Sequence, residues 1–378
     1  MTSTVISPAV LKQKFIQSSS PTHLGLAVSA TEQCNFRCTY CYEDFEIGEM
    51  SDATYTALKL FVAKRMPQLK SFTLSWFGGE PLLALDKTVD FTRYCNDLAA
   101  QYGVRMPRAT MPTNASALTP KNLVALVDAG VRHFMISLDG QADAHNQTRK
   151  TIGGKPTFDR VYRNLLAVRA CRTEQPFEIL LRLHLHENNI ASQLALAEQL
   201  SADFAADSRF DILPIAVGDF GGAPVKSLAL LRSNSDSIKG EIYRRFGRGN
   251  QAAAQEEWDV CYAAKWNHLF IRPDGRISKC TSALNRADND IGRLLENGEI
   301  EFDEQKALLW GFGFQTGKKN DLDCPFFDKP QEQTPIRFYS KTTLLENTAA
   351  LEFAPAREAN NGPVVTSAVA ENNLPVIS

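Results

Sequence analysis

Cys34-Asn35-Phe36-Arg37-Cys38-Thr39-Tyr40-Cys41 places three thiols in one short loop, with an aromatic residue directly before the last. The loop follows Leu24–Ser29, a compact apolar run that reads as a strand. Three local thiolates can hold a four-iron cluster by three corners. Such clusters normally take four cysteines, so one iron is left able to coordinate another ligand. A structural zinc site built from Cys38, Cys41 and two remote ligands is the competing reading. A second motif, Gly78-Gly79-Glu80-Pro81, closes the next strand-like run, Ser71–Trp76. Paired glycines let backbone approach a ligand closely, and Glu80 can accept from an ammonium. Taken alone, that motif is also a simple strand-to-helix turn.

Outward from these loops the chain alternates. Further strand candidates are Arg108–Thr113, Arg132–Leu138, Glu178–His186 and Phe210–Ile215. Helices are expected after Ser51, at Thr119-Pro120 (an N-cap followed by proline at the first helical position) and near Thr157. Repeating βα order implies a parallel sheet with helical crossovers. Six units predict an α/β fold, a partial (β/α)6 TIM-like barrel left open on one side, with both motif loops at the C-terminal mouth of the strands. In the fifth strand, Phe177, Ile179, Leu181, Leu183 and Leu185 share one face, while Glu178, Leu180, Arg182, His184 and His186 share the other. In the fourth, His133, Met135, Ser137 and Asp139 share a face. A polar inner face suggests a barrel with a ligand cavity; polar faces turned outward are the alternative.

The 378 residues suffice for one large domain and a small one. A net charge of −2 gives no reason to expect nucleic acid as partner. No apolar run is long enough to span a membrane, and Met1 to Lys14 lacks the pattern of a secretory signal. A cytoplasmic location is therefore expected. In that reducing compartment eight cysteines are poor candidates for disulfides, and clustered ones suggest metal.

The domain scheme expected is an N-terminal extension (1–23), the barrel (24–216), a connector (217–257) containing Gly218, Gly221, Gly222 and Pro224, a second unit (258–330) and a tail (331–378), with Asn360–Ser378 disordered. The second unit contains Asn267–Arg272, the turn Pro273-Asp274-Gly275-Arg276, and Ile277-Ser278-Lys279-Cys280, which reads as a hairpin. Cys261 and Cys280 bracket it, and Cys324 lies beyond in Asp321-Leu322-Asp323-Cys324-Pro325. These three admit a cluster, a zinc site or unconnected buried cysteines. Cys95 and Cys171, in the predicted helices Phe91–Ala100 and Phe158–Arg172, read as core residues.

The cysteine loop, Gly78–Pro81, Ser137-Leu138-Asp139-Gly140 and the cysteine-flanked hairpin together resemble the radical S-adenosylmethionine superfamily, in its SPASM/twitch-type peptide or protein maturase branch. The resemblance spans roughly residues 24–330. It implies that Cys34, Cys38 and Cys41 hold a [4Fe-4S] cluster that binds S-adenosylmethionine and yields a 5′-deoxyadenosyl radical. It gives cofactor contacts to Tyr40 (near the adenine), Gly78, Gly79 and Glu80 (the methionyl amino group), Ser137 (the ribose) and Arg149 (the carboxylate), with Arg160 as the other arginine available. An Asx turn with Gly140 is the alternative role for Asp139. Asp139, His184 and His186 are the residues to test as proton acceptors. Cys261, Cys280 and Cys324 would carry one auxiliary [4Fe-4S] cluster in a twitch/SPASM-like extension, with Asp321, Asp323 or Asp328 as a fourth ligand or one iron left open. The implied activity is hydrogen abstraction from a ribosomally made precursor peptide with an intramolecular crosslink to carbon, sulfur or oxygen. The implied partners are that peptide and a low-potential electron donor such as flavodoxin or ferredoxin. Serine or cysteine oxidation on a target sulfatase, dehydrogenation of a small molecule and a metal-binding scaffold without turnover are the other readings.

Overall fold

The protein is described from a computed structural model, which covers residues 4–221, 225, 228–231, 235–249 and 258–328. Gly222, Pro224 and the tail after 330, including the stretch expected to be disordered, lie outside the described residues. In chain order the elements are α1 (Pro8–Ser19), β1 (His23–Ser29), β2 (Phe36–Cys38), α2 (Asp52–Arg65), β3 (Ser71–Phe77), α3 (Leu85–Tyr102), β4 (Ala109–Thr113), α4 (Pro120–Ala129), β5 (Val131–Leu138), α5 (Ala142–Thr148), β6 (Arg149–Thr151), α6 (Phe158–Ala170), β7 (Glu178–Leu185), α7 (Ile190–Phe204), β8 (Phe210–Ala216) and α8 (Ser235–Phe246). They continue with β9 (His268–Ile271), β10 (Arg276–Ser278), β11 (Asp290–Leu294), β12 (Ile300–Phe302) and α9 (Glu304–Trp310).

Strands β1, β3, β4, β5, β7 and β8 run parallel in that spatial order, each joined to the next by at least one helix. This is the expected partial (β/α)6 barrel, and all six of its strands fall on the segments read from the sequence. The helix starts follow their caps. Ser51 accepts from the Thr54 amide at the head of α2, and Thr119 accepts from Asn122 at the head of α4, with Pro120 in first position. Gly130, at φ +112°, ends α4 in the left-handed region and feeds directly into β5. The period-two reading of β7 also holds. Ile179, Leu181, Leu183 and Leu185 are buried in the main core with Leu165 of α6 and Leu196 and Leu200 of α7. The face bearing Arg182 and His184 is turned instead toward Tyr40 and Asp139.

The edge of β1 away from β3 is taken by β9, in parallel register from Gly25↔His268 to Val28↔Ile271. The expected hairpin, β9 and β10, is antiparallel, and β11 and β12 extend it. All ten strands therefore belong to one sheet, in the order β12-β11-β10-β9-β1-β3-β4-β5-β7-β8. An incomplete barrel leaves the first strand with an unpaired edge, and pairing it with β9 satisfies those backbone groups. A buried ion pair reinforces the join. Arg272, just past β9, donates Nε and Nη2 to the two carboxylate oxygens of Glu32 at 2.8 Å each, both residues being nearly inaccessible. Gly25 makes the approach possible, since a Cβ there would lie 2.6 Å from the His268 ring.

The N-terminal extension contains α1, which packs on the C-terminal part of the chain. Phe15 meets Trp266 and Phe314 edge-on, and Leu11 is buried with Val260 and Leu322. Among the described residues no helix is long and apolar enough to cross a membrane.

Candidate active site

The loop after β1 is folded by its own backbone and side chains. The Phe36 amide points at Cys34 Sγ (3.4 Å), and Cys41 N–H donates to the Cys38 carbonyl (3.1 Å). Arg37 donates to the carbonyls of Cys34 and Phe36 and stacks over the Phe45 ring at 4.0 Å. Short strands β2 and β6 pair antiparallel, which sets Cys38 directly opposite Arg149. Cys34, Cys38 and Cys41 thus share one partly buried loop at the C-terminal end of the parallel strands. Burial pushes the Cys34 thiol up to about 12 and raises Cys38 and Cys41 as well. Buried neutral thiols are poor nucleophiles, whereas a bound cation deprotonates them outright.

The turn after β3 locks onto this loop. Gly78 has φ +79°, and a Cβ there would fall 1.9 Å from Ser29 Oγ; at Gly79 it would fall 2.1 Å from the Gln33 carbonyl oxygen. Close backbone approach, rather than flexibility, therefore demands both glycines. The Gly79 amide donates to Glu43 Oε2 at 2.7 Å. Burial pushes the Glu43 carboxyl up to about 8. Glu80 is fully buried. Its carboxylate accepts from the amides of Leu82 (3.0 Å) and Asn114 (2.7 Å) and from the Thr113 hydroxyl (2.7 Å). Asn114 in turn directs its side-chain amide at Cys34 Sγ (3.8 Å). Glu80 thus ties the ends of β3 and β4 together. A carboxylate has about four acceptor sites, so one is left for a further donor.

The polar inner face of β5 and β7 completes the site. The Tyr40 hydroxyl is the hub: it donates to Asp139 Oδ1 (2.9 Å), meets His184 Nδ1 (2.9 Å) and accepts from Arg149 Nη1 (2.7 Å). Asp139 Oδ2 accepts from Thr148 (2.6 Å), so the carboxylate faces the network and does not form the alternative Asx turn. Burial disfavours its charge, but the hydrogen bond toward His184 and the nearby Arg149 guanidinium hold it well below the usual carboxylate range. Burial lowers His184, and the same effect takes His145 down to about 4. Ser137 lies on the same inner face, in register with Arg182. His186 is 5 % exposed at the end of β7, and neither ring nitrogen has a partner. Buried atoms without a partner also include Arg149 Nε, Arg182 Nε and Thr39 Oγ1. Of the two arginines weighed for the cofactor carboxylate, Arg160 is exposed on α6 and Arg149 is buried opposite Cys38.

A profile of the Radical SAM superfamily matches residues 28–189, which run from the end of β1 past the end of β7. Those residues form a radical SAM domain. Sequence relatives include the AdoMet-dependent heme synthase of Oleidesulfovibrio alaskensis, 26% identical over 39% of this chain and 36% of that protein. They also include the GTP 3′,8-cyclase of Pseudomonas putida, 34% identical over 33% of this chain and 36% of that one. The chain thus matches little more than a third of these relatives' lengths. Among solved structures, anSMEcpe with bound AdoMet and Kp18Cys peptide aligns at a TM-score of 0.54 and 16% identity, covering 75% of this chain and 80% of that one. Streptococcus suis SuiB bound to S-adenosylmethionine aligns at 0.50 and 15%, covering 74% and 64%. At these identities the likeness is one of fold.

The donor set of the radical SAM domain fits the cluster and S-adenosylmethionine that the family implies: three thiols on one loop, and unpartnered buried polar atoms on Thr39, Arg149 and Arg182 beside them. Among the described residues no group of three or more His, Cys, Asp or Glu converges as around a single ion. A cubane cluster does not need that convergence, because each thiolate meets a different iron.

Beyond the radical SAM domain, Cys261, Cys280 and Cys324 lie close enough for each to feel another's charge. The Cys261 amide donates to the Leu322 carbonyl at 2.9 Å, which fastens the two segments together. Asp321 accepts from Thr316 (2.6 Å), while Asp323 is engaged by Trp258 and Lys319; the Asp328 side chain lies outside the described residues. Cys95, on α3, is buried in the core as expected, whereas Cys171, just past the end of α6, is only partly buried against it. Glu43, Asn114, Thr148 and Arg182 join the site without having been singled out in the sequence. Only Arg182 had a signal, its place on the polar face of β7.

Proposed function

We propose that the chain is a radical S-adenosylmethionine enzyme acting on a peptide, with hydrogen abstraction leading to an intramolecular crosslink. The observation that carries the first part is the meeting, at one end of the sheet, of the Cys34–Cys41 loop with Gly78–Glu80, Asp139 and Arg149. In this reading Cys34, Cys38 and Cys41 hold the cluster, and Arg149, Ser137, Gly78, Gly79 and Glu80 orient S-adenosylmethionine. Bound together, those groups supply a carbon-centred radical that takes a hydrogen atom from an unactivated C–H bond. The chain's own work is placement. Tyr40 holds the buried Arg149 and Asp139 in fixed positions. Asp139, kept ionised, and His184 both lie 2.9 Å from the hub and 3.5 Å from each other, and they are the proton acceptors of this reading.

The peptide part rests on fold precedent, since the anSMEcpe structure was solved with a bound peptide. Cys261, Cys280 and Cys324 are proposed to carry the auxiliary cluster, in line with their mutual proximity. A nucleotide substrate is the second reading, favoured by the GTP 3′,8-cyclase relative. Anaerobic incubation of reconstituted protein with reductant and S-adenosylmethionine tests the chemistry. Release of 5′-deoxyadenosine is expected from the wild type and none from Cys34→Ala, Cys38→Ala or Cys41→Ala. Undiminished release from those variants refutes the cluster assignment.

A further inference from the structure

We propose that the outer face of the β2–β6 ribbon, with the start of α6, docks an acidic protein that carries single electrons and delivers them to the cysteine loop. This rests on the radical reading of that loop, because reductive cleavage of a sulfonium consumes an electron that must come from outside the chain. The ribbon is built into the loop. Cys38 is paired with Arg149 and Arg37 with Lys150, and the Ile152 amide donates to the Asn35 carbonyl at 3.1 Å. Successive residues of a strand face opposite ways. Arg149 turns inward, where it is buried and bonded to Tyr40, so the face bearing Arg37 and Lys150 looks out. Helix α6 is fastened to the same place. The Thr157 hydroxyl donates to the Arg149 carbonyl. Asn164 donates to the Ser116 carbonyl (3.1 Å), and the Ser116 hydroxyl accepts the Asn35 side-chain amide (2.9 Å).

The charge of this face is one-sided. From Lys150 to Arg172 the chain carries six cations, Lys150, Lys155, Arg160, Arg163, Arg169 and Arg172, and one acid, Asp159, in a protein of net charge −2. None of the six is in an ion pair among the described residues. Asp44 and Glu46 flank Phe45, on which Arg37 stacks, so the positive end of the face is the turn after β6 and α6. The ribbon also keeps a defect. Arg37 and Lys150 stand directly opposite each other, and like charges so placed on antiparallel strands cost stability. An acidic partner laid across them relieves that repulsion. Ile152, 63 % exposed between Lys150 and Lys155, adds an apolar contact amid the cations.

Location selects the kind of partner. Unpaired surface cations draw an acidic molecule and speed its encounter. The substrate is not that molecule, since in the radical reading it reacts on the inner side, by Tyr40 and Asp139. An electron carrier has only to come near, and on this face it rests against the strand that bears Cys38. The carrier's flavin or iron–sulfur centre is oxidised by one electron and the cluster held by the cysteines is reduced by one; no bond forms or breaks in the transfer.

The test uses the full chain, reconstituted without oxygen and supplied with S-adenosylmethionine. Release of 5′-deoxyadenosine is driven either by limiting flavodoxin hydroquinone or by photoreduced 5-deazariboflavin, a small reductant that needs no docking surface. Lys155→Glu with Arg163→Glu, both at exposed positions, should slow the flavodoxin-driven reaction about tenfold or more at low salt. The same variant should match the wild type with deazariboflavin. Raising the salt should bring the wild-type flavodoxin rate down toward that of the variant. Lys70→Glu with Arg93→Glu, an equal charge change at exposed positions elsewhere, should keep the wild-type rate. Equal flavodoxin rates in the Lys155/Arg163 variant and the wild type overturn the proposal. So does a slowing seen with both reductants, an equal slowing in the Lys70/Arg93 variant, or no flavodoxin-driven release where deazariboflavin succeeds. Flavodoxin binding is read separately by interferometry. If neither reductant yields 5′-deoxyadenosine, the radical reading fails, and the surface is decided by that binding: salt-sensitive and lost in the Lys155/Arg163 variant supports it, anything else overturns it. Displacement of flavodoxin by a lower concentration of a random duplex oligonucleotide overturns it in favour of nucleic acid.

Discussion

One phenol organises the candidate site. Tyr40 sits in the cysteine loop, yet its hydroxyl reaches three elements far along the chain, at Asp139, Arg149 and His184. Tyr40→Phe removes one atom and leaves three buried polar groups short of a partner. A loss of about 1–3 kcal/mol in stability is expected, together with weaker S-adenosylhomocysteine binding as Arg149 loses its tether; urea unfolding and calorimetry read the two effects. A second residue prediction concerns acid. His145 is fully buried, accepts from the Asp139 amide (3.4 Å) and meets Thr157 (3.2 Å). Its folded value is near 4, below the 6.5 of the unfolded chain. The unfolded state therefore binds more protons between these values. The stability this group contributes is complete above pH 6.5 and is lost as pH falls toward 4, by at most about 3 kcal/mol. Urea midpoints measured from pH 7 to pH 4.5 should fall less steeply for His145→Gln than for the wild type.

At the scale of elements, two joints matter. The first is the turn after β3 against the cysteine loop. Gly79→Ala would drive a methyl into the Gln33 carbonyl, which is backbone and cannot swing aside. The turn must shift, so cluster content and cofactor binding should both drop sharply while the far-UV spectrum stays near that of wild type. The second joint is Arg272 with Glu32, which fastens β9 beside the cysteine loop. Arg272→Ala strands a buried carboxylate and is expected to cost about 3–5 kcal/mol. The double variant Arg272→Met with Glu32→Met should recover most of that loss in the same urea titration; no recovery would place the cost in packing instead. Strands and capped helices of the barrel were legible because their signals are local: apolar alternation, Ser51 and Thr119-Pro120. The β2–β6 ribbon was not. Three-residue strands carry no period, and only tertiary placement brings Cys38 opposite Arg149.

For the whole molecule, Cys34, Cys38 and Cys41 follow β1 while Cys261 and Cys280 bracket β9 and β10, strands of one continuous sheet. If both hold four-iron clusters, reconstituted protein should contain about eight irons and eight sulfides per chain. Cys280→Ala should reduce each count to about four while cofactor cleavage continues and product formation stops. Full product from that variant would remove the second cluster from the reaction. The N-terminal extension also acquires a role at this scale, since α1 covers apolar surface on Trp266, Phe314 and Leu322. Deleting residues 4–19 should therefore lower stability by exposing those side chains, an effect readable as a reduced urea midpoint.

Local chemistry along the chain determined the alternation of strands and helices, the mouth at which the motif loops gather, and the three thiols there, because periodicity, caps and spacing act between near neighbours. Tertiary structure alone decided that β9 completes the edge of β1, that Glu80 spends its oxygens on β4, and that Tyr40, Asp139, Arg149 and His184 form one network with Arg182 left unpaired beside it. These depend on which distant groups share a buried space, and that is set by how the sheet closes.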